Sequence, residues 1–323
     1  MKRIGVLTSG GDGPGLNPCI RAVVRKAIGL GLEVMGIKRG YAGLMSGEIV
    51  PLNARSVSSI INKGGTFLGT SRPLEFETVA GQLQALHNLN EHEIEGLVVI
   101  GGNGSLCGAL ALHQRGFPVV GIPATIDNDV NGTDLAIGVD TALNTIIDAI
   151  DKIRDTAASH HRAFLIEVMG RDCGYLALMG GVAGGAEIIL LPEVETSPEE
   201  VARGLQRDYV LGKAHCIVVV AEGYKPGTKA LAEYLQEHEE ELGFGVRVTV
   251  LGHVQRGGAA TAFDRLLATR MGAEAVDCLM RGEHGCLVAW RGGNITTVSL
   301  EEILREQPRI DLDIYKLGRE MEV

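Results

Sequence analysis

The sequence is poor in aromatic residues and has no excess of basic charge. Phe, Trp and Tyr make up 4% of its 323 residues, with one tryptophan, Trp290. Acidic residues outnumber basic ones by 40 to 30, which gives a net charge of −10. Both features argue against non-specific binding to nucleic acid, and a negative surface also disfavours anionic membranes. An anionic small substrate remains compatible with this balance, because a local arginine cluster can lie in an acidic protein.

The sequence also lacks several motifs that would identify a cofactor. The six cysteines include no CxxC pair, so no zinc or redox motif is present. No GxGxxG occurs, which weakens a dinucleotide-dependent dehydrogenase, and no GxxxxGK[ST] occurs, which excludes a Walker-type NTPase. Because no apolar run is long enough for a signal peptide or a membrane span, we expect a protein of the reducing cytoplasm.

Short apolar runs rich in Val and Ile recur along the chain, and each is too short for an ordinary helix. They lie at 97–100, 119–122, 164–168, 188–191, 217–221 and 248–251. Amphipathic stretches separate them, most clearly at 140–159, and capping boxes at Ser197 and Ser299 predict two helix starts. The alternation predicts an α/β protein with mainly parallel sheets covered by helices on both faces.

Three glycine-rich runs lie at 8–15, 64–69 and 101–105, and the first and last each follow a predicted strand and open a predicted helix. Glycine lets backbone amides approach a phosphate closely, and the N-terminus of a helix favours an anion. A single run fits a simple tight turn equally well. Three runs in one α/β chain favour a nucleotide or phosphate site.

An acidic loop follows the run at 119–122 and contains Thr125, Asp127, Asn128 and Asp129. Phosphoryl transfer to a hydroxyl needs a base, and Mg²⁺ needs hard oxygen ligands, so the two aspartates suit these two roles. A polar turn with local hydrogen bonds is the alternative. Basic residues also lie near predicted strand ends, at Arg162, Arg171, Arg247, His253 and Arg256. They suit phosphate binding, although surface ion pairs or a structural histidine explain any one of them.

Five segments, in this order along nearly the whole chain, resemble the bacterial-type ATP-dependent 6-phosphofructokinases. They are GVLTSGGD (5–12), GGTFLG (64–69), TIDND (125–129), EVMGR (167–171) and LGHVQRGG (251–258). The resemblance implies the transfer of a phosphoryl group from ATP to the 1-hydroxyl of fructose 6-phosphate in glycolysis, with Mg²⁺ as cofactor. It further implies a homotetramer with shared active sites, in which Arg162 and Arg247 serve the neighbouring subunit.

The resemblance also assigns roles to individual residues. The catalytic residues are Asp127, as general base, with Thr125 and Arg171 beside the transferring group. The ATP-binding residues are Gly11, Tyr41, Arg72, Pro73, Gly102, Asn103, Gly104 and Ser105. The residues for fructose 6-phosphate are Thr125, Asp127, Arg162, Met169, Gly170, Arg171, Glu222, Arg247, His253 and Arg256. The residues for an ADP or phosphoenolpyruvate effector are Arg21, Arg25, Arg154, Gly185, Glu187 and Lys213.

The family's fold consists of two Rossmann-like α/β domains. The resemblance places a larger ATP-binding domain at 1–138 and 251–305, and a smaller sugar-phosphate-binding domain at 139–250 and 306–323. The sequence departs from the family at Asn103, where an aspartate normally binds the metal. We expect weaker metal binding there, so that an aspartate at this position would raise kcat, unless Asp12 or Asp129 already supplies the charge. Ala54 and Leu211 replace basic residues of the effector site.

Three alternative functions remain to be distinguished. A weakly active or regulatory sugar-phosphate- or nucleotide-binding paralogue is favoured by Asn103. A pyrophosphate-dependent enzyme is disfavoured by Gly104 and Ala124, because such relatives typically carry Asp and Lys at these positions. A nicotinamide-dependent oxidoreductase depends on the fold class alone.

Overall fold

The computed structural model describes residues 1–305 and 310–321. The chain forms two compact units. The first comprises Met1–Thr141 with Arg256–Pro308, and the second Ala142–Gln255 with Arg309–Val323. The functional division at 138, 250 and 305 stays a prediction, and 306–309 and 322–323 of its C-terminal segment lie outside the described residues.

The two units contain strands and helices in regular alternation. The strands are β1 (Arg3–Thr8), β2 (Glu33–Ile37), β3 (Ile49–Leu52), β4 (Gly96–Gly101), β5 (Val119–Pro123), β6 (Arg162–Val168), β7 (Ile188–Leu190), β8 (Cys216–Ala221), β9 (Gly245–Val250), β10 (Cys286–Arg291) and β11 (Asn294–Ser299). The helices are α1 (Leu16–Gly29), α2 (Gly40–Ser46), α3 (Val79–Glu91), α4 (Asn103–Gln114), α5 (Val139–His160), α6 (Tyr175–Ala183), α7 (Pro198–Val210), α8 (Thr228–Glu237), α9 (Glu239–Leu242), α10 (Ala262–Arg281), α11 (Leu300–Ile303) and α12 (Leu312–Glu320). Two 3₁₀ turns lie at Leu74–Glu77 and Gly252–Arg256.

The first unit is built on a seven-stranded sheet in the order β11-β10-β5-β4-β1-β2-β3. Its five central strands run parallel, and β3 and β11 are antiparallel edge strands. Alternate residues of β4 enter different cores. Val98 and Ile100 pack with α1 and α10, whereas Leu97 and Val99 pack with α2, α3 and α4. Because both faces are buried, β4 carries the continuous apolar run that the sequence shows.

The second unit is built on a four-stranded parallel sheet in the order β7-β8-β6-β9. Alternate residues of its central strands, such as Leu165 of β6 and Val218 of β8, pack against α7 and α8. The edge strand β9 is more polar and more exposed, with Val250 59% accessible. Both sheets confirm the predicted α/β class with mainly parallel strands and helices on both faces.

The local sequence signals predicted most elements well. Four apolar runs lie wholly in strands, and the amphipathic stretch at 140–159 lies in α5. The run at 188–191 extends one residue past the end of β7, and the run at 248–251 extends one residue past β9, which begins earlier at Gly245. Ser197 forms the predicted reciprocal capping box with Glu200 at the start of α7, and Ser299 Oγ accepts from the Glu302 backbone N–H at 3.5 Å. None of the helices in the described part of the chain has the length and apolar character needed to cross a bilayer.

Candidate active site

Three glycine-rich or acidic loops leave the same edge of the seven-stranded sheet. The strands β1, β4 and β5 are adjacent and parallel, with Thr8 paired to Ile100 and Gly101 paired to Pro123. Their carboxyl ends therefore lie side by side. In an α/β sheet this edge is where ligands bind.

The loops after β1 and β4 approach each other so closely that glycine is required. The Ser9 backbone N–H donates to the carbonyl of Ile100 at 3.1 Å. A Cβ atom at Gly101 would lie 2.6 Å from the carbonyl oxygen of Ser9, and one at Gly10 would lie 3.1 Å from Ser105 Oγ. Two of the three predicted glycine runs therefore meet as one surface, beside the N-terminus of α4.

The remaining glycine run, at 64–69, is attached to the first run and to α1 by buried polar side chains. Asn17 Nδ2 donates to the carbonyls of Lys63 and Gly64 at 3.0 and 3.1 Å, and its Oδ1 accepts from the Phe67 N–H at 2.6 Å. Thr8 Oγ1 donates to the carbonyl of Gly69 at 2.9 Å. The run at 64–69 thereby joins the same edge of the sheet.

Two arginines lie over Gly11 in the first loop. A Cβ at Gly11 would be 2.6 Å from Arg256 Nη1 and 3.2 Å from Arg72 Nη2. Arg256 is the last residue of the second 3₁₀ turn, and Arg72 follows the glycine run at 64–69, so residues far apart in sequence bring two guanidinium groups to one point. Two positive charges beside exposed loop amides suit a phosphate-bearing ligand.

Tyr41, a predicted ATP-binding residue, is only 3% exposed. Its ring stacks on Phe76 with centroids 3.9 Å apart, and its hydroxyl donates to the Ser105 carbonyl at 2.7 Å. Burial raises the pKa of this hydroxyl well above its ordinary value, so it stays a neutral donor. In this position Tyr41 supports the first turn of α4.

Asn103, the position that departs from the family, contacts Asp129. Its Nδ2 donates to both the carbonyl oxygen and Oδ2 of Asp129, each at 3.0 Å. Since both partners are acceptors, the amide nitrogen must face them, and the amide oxygen faces elsewhere. Asp129 Oδ1 is buried without a hydrogen-bond partner among residues 1–305 and 310–321. An oriented carboxylate oxygen and an amide oxygen are ligands that suit Mg²⁺.

The turn that carries Thr125 and Asp127 follows β5 directly. The Asp127 N–H donates to Thr125 Oγ1 at 3.2 Å, and Asp127 is 3% exposed. Gly102 lies against Thr125, since a Cβ on Gly102 would be 3.5 Å from Thr125 Cβ. The acidic turn and the N-terminus of α4 are therefore neighbours.

In the second unit, the predicted sugar-phosphate residues at the carboxyl ends of β6 and β8 come together. The Arg171 N–H donates to Glu222 Oε1 at 2.6 Å, and the Glu222 N–H donates to the Val168 carbonyl at 2.9 Å. Met169 N–H donates to the fully buried Gln255 side chain at 3.2 Å. Gly170 and Arg171 have φ values of 143° and 53°, so this turn is conformationally unusual.

Two predicted residues of the same group lie at the other end of this sheet. Arg162 begins β6, whereas Met169 follows its last residue, and β6 has seven residues, roughly 20 Å at the usual strand rise. Arg247 pairs with Phe164, near the same amino end as Arg162. Arg162 and Arg247 are thus separated within one chain from the turn at 169–171. His253 is exposed, in the second 3₁₀ turn.

The family model described as "Phosphofructokinase" matches residues 3–279. The chain belongs to the phosphofructokinase family. Relatives named "ATP-dependent 6-phosphofructokinase" from Halalkalibacterium halodurans and Natranaerobius thermophilus are 54% and 53% identical over 323 residues, which is 100% of this chain and of each relative. A phosphofructokinase structure from Pichia pastoris matches 99% of the chain at 36% identity and a TM-score of 0.88. The chain spans 36% of that longer Pichia chain.

The predicted effector residues of this phosphofructokinase are partly assembled within the second unit. Arg154 Nη2 donates to the Gly185 carbonyl at 2.7 Å, and Arg154 Nη1 lies 3.9 Å from Glu187 Oε1. Lys213 pairs with the buried Asp208 at 3.1 Å. Arg21 and Arg25 belong to α1 of the first unit. Ala54 and Leu211 are both exposed, at positions where a basic residue was expected.

Several polar residues that build the site were not predicted from the sequence, notably Asn17 and Gln255. Both are buried, at 2% and 0% exposure, and both bond to backbone groups of the site loops. A polar residue inside an apolar segment is the one local signal that marks Asn17 in α1. The partner residues, however, lie 46–50 and 86 positions away.

Gly11→Ala tests whether Arg72 and Arg256 act at one point. The new methyl group meets the ends of two flexible side chains, so we expect the fold to persist while both guanidinium groups move. The KM for ATP and for fructose 6-phosphate should each rise about tenfold, as charge-assisted contacts weaken. Steady-state kinetics measure this effect, and thermal unfolding checks the fold.

Gly29→Ala in α1 is the matched control, because nothing lies within 4 Å of its added Cβ. It should leave both KM values unchanged. Unchanged KM values in the Gly11 variant would show that the two arginines do not bind substrate from this position.

Proposed function

We propose that this phosphofructokinase transfers the γ-phosphoryl group of ATP to the 1-hydroxyl of fructose 6-phosphate, giving fructose 1,6-bisphosphate and ADP. The observation that carries the proposal is the contact between Gly102 and Thr125, which joins the N-terminus of α4 to the buried Asp127 turn. Full-length relatives at 53–54% identity carry the name of this activity.

We assign the nucleotide to the edge of the seven-stranded sheet where β1 and β4 end. Glycine-rich loops expose backbone amides there, and the N-terminus of α4 adds a favourable dipole for phosphate. Arg72 supplies a positive charge beside Gly11. No atom of the described residues lies within 4 Å of a Cβ placed at Gly104, so the surface beside the first turn of α4 has room for a ligand.

Asp127 acts as the general base in this proposal. The 1-hydroxyl of the sugar must lose its proton as its oxygen attacks the γ-phosphorus, and Asp127 accepts that proton. The Asp127 N–H donates to Thr125 Oγ1 at 3.2 Å, which fixes the turn that carries the base. Arg171 stabilises the negative charge that develops on the transferring phosphoryl group, as the resemblance implies.

Asp129 and Asn103 are the residues that would hold Mg²⁺. Two observations support this assignment. Asp129 Oδ1 is a buried oxygen without a hydrogen-bond partner in the described part of the chain, and the Asn103 amide nitrogen donates to Asp129, which leaves the amide oxygen available as a ligand. Mg²⁺ commonly uses one or two side-chain ligands with substrate phosphates, so a larger acidic cluster is unnecessary. Bound with the nucleotide, the ion would offset the negative charge that develops on the phosphate groups.

A second subunit completes the sugar-phosphate site in this proposal. Arg162 and Arg247 are assigned to the neighbouring subunit's site, since β6 separates Arg162 from Met169 within one chain. A homotetramer, an ADP or phosphoenolpyruvate effector at Arg154 and Glu187, and a cytoplasmic location stay predictions.

A single assay distinguishes this function from its alternatives. Purified protein is incubated with fructose 6-phosphate, Mg²⁺ and either ATP or pyrophosphate, and fructose 1,6-bisphosphate is measured. We expect product with ATP and little with pyrophosphate. The reverse donor preference would indicate a pyrophosphate-dependent enzyme. Calorimetric binding of both ligands without turnover would indicate a regulatory paralogue.

Asp127→Ser should lower kcat by ~10²–10⁴, the usual contribution of a general base, while both substrates still bind. Pre-steady-state and steady-state rates with MgATP measure the loss. Asp148→Ser, on the exposed face of α5, is the control and should keep the wild-type kcat. A loss of less than about tenfold for Asp127→Ser would make Asp127 a turn residue instead of the base.

Asn103→Asp tests which residue carries the charge of the metal site. The hydrogen bonds from Asn103 to Asp129 favour the alternative in which Asp129 already supplies the negative charge of the metal site. A carboxylate at 103 would face two acceptors, and we expect kcat at saturating MgATP to fall, by about tenfold, as a hydrogen bond to a charged group is lost. Asn103→Ala should show a similar loss. An increase in kcat for Asn103→Asp would restore the expectation that the amide weakens the site.

A further inference from the structure

Asp264, in the first turn of α10, is fully buried and binds a different helix. It has 0% exposure. Its Oδ1 accepts from the Gly138 N–H at 3.0 Å, and its Oδ2 accepts from the Thr141 N–H at 2.8 Å and from Thr141 Oγ1 at 2.6 Å. These groups belong to the start of α5, which lies more than 120 positions earlier in the chain.

The first backbone N–H groups of a helix have no partners within the helix, and a negative charge there is favourable. For α5 this charge comes from Asp264, in addition to Asp140 of its own first turn. Burial raises the pKa of Asp264, while the hydrogen bonds from Thr141 and Gly138 oppose that rise and the nearby Asp140 adds to it. The carboxylate is thus held by the groups that it caps.

The cap is directly connected to the turn that carries Thr125 and Asp127. Ile137, next to Gly138, donates its N–H to the Pro123 carbonyl at 3.0 Å, and its carbonyl accepts from the Thr125 N–H at 3.1 Å. The loop from 125 to 137 is therefore closed by Ile137 at its base. Asp264 holds the residue immediately after this closure.

Gly138 is also confined on its other side. It has a φ of 105°, and a Cβ there would lie 3.0 Å from the Pro14 carbonyl oxygen in the first glycine-rich loop. Gly138 is thus held by Asp264 while it packs against Pro14. A shift at Gly138 would move both the closure at Ile137 and its contact with the first loop.

We propose that Asp264 is a positioning residue for phosphoryl transfer, which fixes the Thr125–Asp127 turn by anchoring Gly138 and the start of α5. This inference rests on the proposed function, because it needs Asp127 to be the base. Small displacements of a catalytic group lower the rate steeply, so loss of the anchor should affect kcat more than substrate affinity.

A double-mutant cycle separates positioning from general stabilisation. Asp264→Asn keeps the size of the side chain but removes its charge and one acceptor. In the wild-type background it should lower kcat at least about tenfold, with KM for either substrate changed about twofold or less. In the Asp127→Ser background it should lower the remaining rate by less than about twofold, because the base that Asp264 positions is already gone.

Asp208→Asn provides the matched control. Asp208 is also a fully buried aspartate, but it pairs with Arg207 and Lys213 of the second unit. Without effector, this variant should lower the thermal midpoint and leave kcat unchanged. If Asp264→Asn does not fold, Thr141→Val carries the same cycle, since it removes the hydroxyl that donates to Asp264 at 2.6 Å and accepts from the Thr261 N–H at 3.0 Å.

Two results would overturn the inference. One is an unchanged kcat in the Asp264 variant, or in the Thr141 variant if that one is used. The other is an equal fractional loss in both backgrounds, which would make Asp264 a purely structural residue. Failure of the proposed function is recognised separately, because the wild-type protein would then form no product with MgATP, or Asp127→Ser alone would keep the wild-type rate.

Discussion

The parallel pairing of β1, β4 and β5 is the constraint on which the candidate site depends. Thr8 pairs with Ile100 and Gly101 with Pro123, so three chain segments leave the sheet within two strand spacings of each other. The loops then pack so closely that a side chain at Gly101 is excluded, and Gly10 has a φ of 90° that disfavours one. Glycine therefore serves two purposes here, since it permits this packing and leaves backbone amides open to phosphate.

The second sheet imposes a complementary constraint on the predicted sugar-phosphate residues. Glu222 holds the turn at Arg171 at the carboxyl ends of the strands, while Arg162 and Arg247 lie near the amino ends. A rigid strand fixes this separation, and side-chain rotation cannot overcome roughly 20 Å. If all of these residues bind one sugar phosphate, two copies of the chain must contribute, which gives the proposed oligomer a physical basis.

Local sequence patterns predicted the fold class, most strands, α5 and the importance of the three glycine runs. These features depend on residues that are close together in sequence, so a short window is enough to recognise them. The polar network was not predictable in this way. Asp264 looks like part of an ordinary helix start, with Thr261 as its cap, yet its carboxylate binds Gly138 and Thr141. The contact between Asn103 and Asp129 likewise depends on the pairing of β4 with β5, which no local pattern shows.

Amide hydrogen exchange of the whole chain, with and without MgATP, tests most directly whether this edge of the first sheet is the nucleotide site. Mass spectrometry of peptides then reports protection along the sequence. The structure predicts slower exchange on adding MgATP in the segments after β1, β4 and β5, namely 9–15, 102–106 and 124–138. Unchanged exchange in all three segments, with protection confined to other parts of the chain, would contradict the account.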